Sequence, residues 1–157
     1  MNNFNLAVSM TLRREGVLCN DPKDTGGLTK YGISQTAYPN LDICSLTQED
    51  AIAIYKRDYW DKTKCEQLPY PLDVLTFDAS VNHGPKQAVQ ILQRALGVMD
   101  DGIIGPKTIK AARKAPDNVC TLYFIHRMYA YSQAKTYSTH GKGWRNRLLA
   151  ICKELNV

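Results

Sequence analysis

Apolar side chains recur along the first fifteen residues with the period of a helix. Phe4, Val8, Thr11, Leu12 and Glu15 fall on one face, and Gly16 follows as a stop. Beyond it, Asp21-Pro22, Thr25-Gly26-Gly27 and Tyr31-Gly32 are turn signals around a short strand over residues 28–33, which predicts a small hairpin. Thr47 then caps a helix of about ten residues, with Asp50 at the capping-box position and Ala51, Ile52, Ile54 and Tyr55 as its apolar face. Residues 72–83 read as a helix stopped by Gly84-Pro85, and residues 86–96 as an amphipathic helix. A turn-rich stretch over 97–105 leads to a helix opened by Pro106. Asp117 is placed to cap a long helix to Lys135, apolar nearly all round and so buried at its middle. Residues 138–143 read as a loop, with a last helix from Gly143 packing through Leu148, Leu149 and Cys152. The pattern is that of a mainly α protein with one small β-hairpin.

Glu15 is the first candidate for chemistry. A carboxylate on the inward stripe of a helix, at the negative end of the helix dipole, is pushed towards its neutral form by both desolvation and the dipole. That suits a general acid. The plain alternative is a helix-ending glutamate paired with Arg13 or Arg14. Glycosidases require a second group on the opposite face of the scissile bond. Asp24, with Thr29 beyond it, can supply this from the facing hairpin. Asp21 is the rival carboxylate, although an Asp before proline more often makes an Asx turn. Asp78 and Asn82 lie four residues apart on one helix face, and Tyr59 and Trp60 are either sugar-stacking rings or the aromatic edge of a core. His83, beside the helix-ending glycine, is more readily a packing residue than a base. Asp100-Asp101-Gly102 lacks the alternating ligands of a calcium loop and reads as a turn.

The run Glu15-Gly16-x(5)-Pro22-x-Asp24-x-Gly26-Gly27-x-Thr29-x-Tyr31-Gly32-Ile33-Ser34 resembles the N-terminal motif of the glycoside hydrolase family 108 muramidases, bacteriophage endolysins and related bacterial proteins. It is similar also to the Glu-x(8)-Asp-x(5)-Thr arrangement of phage-type lysozymes. Val17 stands where the family usually has a second glycine, and Thr29 lies one residue short of the threonine that helps hold water. Phe77-Asp78-x-x-Val81-Asn82-His83-Gly84 resembles a second family motif, and Gly143-Trp144-Arg145-Asn146-Arg147 its C-terminal pattern. The stretch from Gln93 to Thr108 is similar to an accompanying peptidoglycan-binding module. The resemblance implies a lysozyme-like α+β fold with the hairpin next to the active-site helix. It implies a catalytic lobe over 1–84 and a helical peptidoglycan-binding-like lobe over 85–157, packed as one unit. It further implies cleavage of the β-1,4 bond between N-acetylmuramic acid and N-acetylglucosamine. Glu15 would be the acid, Asp24 the second carboxylate and Thr29 the water holder. Tyr31, Asp78, Asn82, Tyr59 and Trp60 are the candidate sugar-binding residues. No metal or organic cofactor is required. By analogy with phage-type lysozymes the mechanism is expected to invert, with carboxyls roughly 6.5–9.5 Å apart. A lytic transglycosylase using Glu15 alone and a non-catalytic wall-binding protein are the rival readings.

Charge sharpens the partner. Residues 1–101 hold 10 Lys and Arg against 13 Asp and Glu, a net −3, whereas residues 102–157 hold 10 against 2, a net +8. A basic second half suits a polyanion such as the cell wall. Nucleic acid has the same charge logic, but no reading motif accompanies it, so glycan strands are the expected partner and nucleic acid is not. The five cysteines are widely spaced, without a Cys-x-x-Cys, and read as reduced thiols. No stretch has transmembrane length and the first residues lack a signal-peptide pattern. A monomer is expected, held in the host bacterial cytoplasm until released to the wall, without stable membrane insertion.

Overall fold

The computed structural model describes the backbone of residues 3–15, 18–19 and 28–157, and the side chains of 3–14 and 28–157. They form two compact units, residues 1–62 and 63–157. The division falls between residues 62 and 63, within the lobe expected over 1–84. The helix over 72–83 packs on the helix that follows it, so both belong to the second unit.

In the first unit, α1 (Asn3–Glu15) buries Phe4, Val8 and Thr11 of the predicted stripe, together with Ala7 and Met10, while Leu12 of that stripe is half-buried. The Thr11 hydroxyl, enclosed on that stripe, donates back to the Ala7 carbonyl at 3.2 Å. Three two-residue strands follow: β1 (Leu18–Cys19), β2 (Thr29–Lys30) and β3 (Ile33–Ser34), antiparallel in that order. Tyr31 and Gly32 join β2 to β3 with φ of 52° and 79°. Positive φ at both central residues matches the twist of a two-residue hairpin. The Gln35 amide then holds the next loop by donating to the carbonyls of Tyr38, Pro39 and Leu41.

Helix α2 (Gln48–Tyr55) carries the expected capping box. Asp50 N–H donates to Thr47 Oγ1 at 3.1 Å, and Thr47 N–H to Asp50 Oδ2 at 3.0 Å. It continues as a π-helical turn over Lys56–Asp61. The wider turn places the residue five positions on, rather than four, beneath its predecessor. Trp60 therefore lies under Tyr55 on the inner face, and its ring meets the edge of Phe4 with centroids 5.5 Å apart.

The second unit is a helical bundle. A 3-10 turn (Cys65–Gln67) packs on α3 (Leu72–His83), which is buried at every position from Leu72 to Ser80. Helix α4 (Pro85–Ala95) packs on α3 and on α6 (Val119–Ser132), and α6 packs on α7 (Tyr137–Leu155). Gly84, at φ 80°, makes the break between α3 and α4. The short α5 (Pro106–Arg113) follows a loop clamped by Gln93. The Gln93 amide donates to Asp101 Oδ1 at 2.7 Å and to the Ile103 carbonyl at 3.0 Å, while its oxygen accepts from Gly102 N–H at 2.8 Å.

Four expectations need correction here. The short strand expected over residues 28–33 is two strands, β2 and β3, parted by the Tyr31-Gly32 turn. Asp117 does not cap α6: Asn118 holds that position, with no side-chain hydrogen bond. Helix α6 is not enclosed all round, because Ile125 and Tyr129 are 56% and 60% exposed. Residues 138–143 are helical, so α7 begins at Tyr137 and not at Gly143. A Cβ on Gly141 would stand 2.8 Å from the Tyr137 ring one turn earlier. The residue whose propensity argues against a helix is thus the one that leaves room for that ring.

Candidate active site

Glu15 is the last residue of α1, and β1 starts three residues later. Cys19 pairs with Thr29 and Leu18 with Lys30, so the strand bearing Thr29 returns to the chain leaving that helix. Asp24 and Asp21 lie outside the described residues, as does the Glu15 side chain. Thr29 is half-buried and faces Ser34 across β3. Tyr31 occupies the hairpin turn. Its carbonyl accepts from the Tyr55 hydroxyl at 3.0 Å, and the Lys30 ammonium stands 5.7 Å from its ring centre. Tyr31 also borders a hollow of about 570 Å3, shared with Asn5, Ser9 and Leu12 of α1 and Ile52 of α2. Tyr59 is half-buried, its ring 5.6 Å from that of Tyr55. Trp60, at 1% exposure, is a core residue and offers no face to a sugar.

In the second unit Asp78 is likewise not an open ligand. It is 3% exposed and accepts from Arg127 Nη2 at 2.5 Å and from Arg147 Nη2 at 2.8 Å. Burial pushes its carboxyl up, but the two guanidinium groups outweigh that and hold it below the usual carboxylate range. Arg127, fully buried, is held protonated by the same pairing against its own desolvation. Asn82, four residues on, is exposed, and its Oδ1 accepts from the Tyr131 hydroxyl at 2.7 Å. His83 packs on Tyr131 with ring centroids 4.4 Å apart. Burial and the Arg127 charge lower its pKa to about 4, so its ring is neutral near pH 7. Arg127 and Arg147 are the partners that sequence reasoning missed. The available signal was a lone arginine in the apolar run from Val119 to Met128.

Among the described residues no cluster of His, Cys, Asp and Glu is arranged to hold a metal, and no helix is long and apolar enough to cross a membrane. Cys44, Cys65, Cys120 and Cys152 are free thiols.

The glycosyl hydrolase 108 family matches residues 8–84, and a predicted peptidoglycan domain matches residues 87–149. The chain is 33% identical to Brucella abortus SagA over 97% of its own length and 92% of the SagA chain, with a TM-score of 0.88. No curated protein matches it. The chain belongs to the glycosyl hydrolase 108 family. With its mainly α, lysozyme-like fold and its second, peptidoglycan-directed segment, it is a glycosidase that acts on peptidoglycan.

Proposed function

We propose that the protein is a muramidase that hydrolyses the β-1,4 bond between N-acetylmuramic acid and N-acetylglucosamine. The observation that carries this reading is the pairing of Cys19 with Thr29, which brings Thr29 against the strand that follows the helix ending in Glu15. Glu15 protonates the leaving glycosidic oxygen. Asp24 orients or deprotonates the attacking water, and Thr29 helps to hold that water. The expected course is inversion, in which the second carboxylate acts through water and not as a nucleophile. Tyr31, Tyr59 and Asn82 contribute to sugar binding. Released to the wall, the enzyme lyses it and acts as a monomer. The +8 charge of residues 102–157 supports retention on that anionic polymer.

The test is clearance of purified sacculi by wild type, Glu15→Gln and Asp24→Asn, with released ends analysed by mass. Clearance by wild type alone, leaving reducing muramic ends, is the expected result. Anhydro-muramic ends would replace hydrolysis by transglycosylation and remove Asp24 from the mechanism. Equal clearance by Glu15→Gln would remove the proposed acid.

A further inference from the structure

The second unit contains a hollow at whose border stands Asn82, read above as sugar-binding. It has a volume of about 360 Å3 and lies between the end of α3, the start of α4, the end of α6 and α7. Asn82, His83, Gln87, Tyr131, Gln133 and Trp144 contribute to its walls. Trp144 stacks on Tyr131 at 4.8 Å and 14°, and Tyr131 in turn packs on His83, so three rings form one continuous wall. His83 Nε2 is fully enclosed and has no hydrogen-bond partner. Three carboxamides border the same space, and the Asn82 oxygen is already taken by Tyr131.

Among the described residues, no Lys, Arg, Asp or Glu side chain lines the hollow. Peptide stems and anionic polymers carry charges that such a wall leaves unpaired. Carboxamides and a neutral imidazole instead match groups that both donate and accept, as sugar hydroxyls and N-acetyl groups do. Tyr131 is buried and backs the wall, so the half-buried Trp144 ring is the one that matches the apolar face of a pyranose, and the volume sits at the low end of the roughly 300–1,000 Å3 of small-ligand sites.

We propose that this hollow, walled by His83, Tyr131 and Trp144 with Asn82, Gln87 and Gln133 at its border, binds an uncharged N-acetylated sugar unit. The site would hold a glycan strand at the second unit. The inference rests on the reading of the protein as a peptidoglycan glycosidase, whose substrate supplies the ligand.

The test uses the full chain with Glu15→Gln and tri-N-acetylchitotriose as probe, followed by NMR. The Trp144 indole and His83 ring signals are expected to shift saturably, with the core residue Trp60 as internal reference. Ala134→Trp fills the hollow and Gln133→Ala, at an exposed position, trims its border. Each is expected to weaken the titration by about tenfold, the equivalent of one lost contact of about 1.4 kcal/mol. A short acidic stem peptide is expected to leave both signals in place. No shift with the sugar, a shift with the peptide in its place, or an unchanged titration in both folded variants would overturn the site. Hydrolysis by wild type is read separately. Its absence with the Trp144 shift intact removes the muramidase and leaves the site, and normal hydrolysis without the shift does the reverse.

Discussion

The two units enclose different kinds of side chain. Among the described residues of 1–62, Thr11 alone is a fully buried polar residue, and it satisfies itself within its own helix. Residues 63–157 bury Asp73, Asp78, Gln93 and Arg127 together with the hydroxyls of Thr63, Thr76, Ser80 and Thr108. In the first unit an apolar and aromatic core supports a hairpin whose polar residues are left for other work. In the second, polar groups themselves join the helices: Asp78 of α3 to Arg127 of α6 and Arg147 of α7, and the Tyr123 hydroxyl of α6 to the Leu75 carbonyl of α3. On the proposed reading of Glu15 as the acid, a carboxylate on a helix has opposite meanings in the two units, and mutation should separate them.

The largest effects should come from that pair of carboxylates. Glu15→Gln is expected to lower turnover by between about a hundredfold and ten-thousandfold while leaving the urea midpoint in place. Asp78→Ala is expected to lose about 3–5 kcal/mol of stability, because it strands Arg127 without its counter-charge in the interior. Urea unfolding with sacculus clearance reads both. If Asp78→Ala kept its midpoint and lost only activity, the division between the units would collapse.

His83 gives the next effect, on pH. Its folded pKa, about 4, lies below the ordinary 6.5, because burial, Arg127 and Arg147 outweigh the opposing Asp78. Below pH 6.5 the unfolded chain binds a proton that the folded chain refuses. Stability from this group is complete above 6.5 and is lost as pH falls towards 4, by about 3 kcal/mol in all. His83→Gln should flatten the profile in that window. A profile that stays as steep in the variant would assign the slope to other groups.

Gln93→Leu should have a smaller effect, about 1–3 kcal/mol, since it leaves the Gly102 N–H and the Asp101 turn without their partner. Gly102 cannot compensate: its φ is 79°, and a side chain there would meet Lys86. Hydrogen exchange confined to residues 99–105 would show the clamp opening without the bundle. Exchange spread evenly through α4 and α6 would deny Gln93 that local role.

Local rules reached most of this architecture from the chain. The Thr47 capping box, the Gly84-Pro85 break and the Tyr31-Gly32 turn each depend on neighbouring residues, and each stands where it was expected. What escaped was decided by partners distant in sequence. Arg127 lies 49 positions from Asp78 and Arg147 lies 69, so the i, i+4 spacing of Asp78 and Asn82 suggested a shared open face where only Asn82 is exposed. Helix α7 over 138–143 escaped for a related reason: Gly141 weakens the local propensity and is favoured by the Tyr137 ring. At the hairpin, the motif from Glu15 to Ser34 pointed to the family that the comparison shows, and the structure pairs Thr29 with Cys19 on the strand that follows α1.

The smallest expected effect sharpens the comparison from the other side. Tyr55 is a core ring of the first unit whose hydroxyl reaches out to the Tyr31 carbonyl in the hairpin turn. Tyr55→Phe keeps the ring packing and removes one hydrogen bond, so the stability loss should be about 1 kcal/mol. Tyr31 holds a φ of 52°, a conformation that a residue with a side chain adopts reluctantly. Without the anchor, the turn between β2 and β3 is freer to relax, and Thr29 on β2 relaxes with it. If polar groups in this unit serve the site, specific activity well below the melting midpoint should fall further than the folded fraction does. Activity that merely tracks the folded fraction would mean that the turn holds itself, and that the Tyr55 hydroxyl is only one more packing contact.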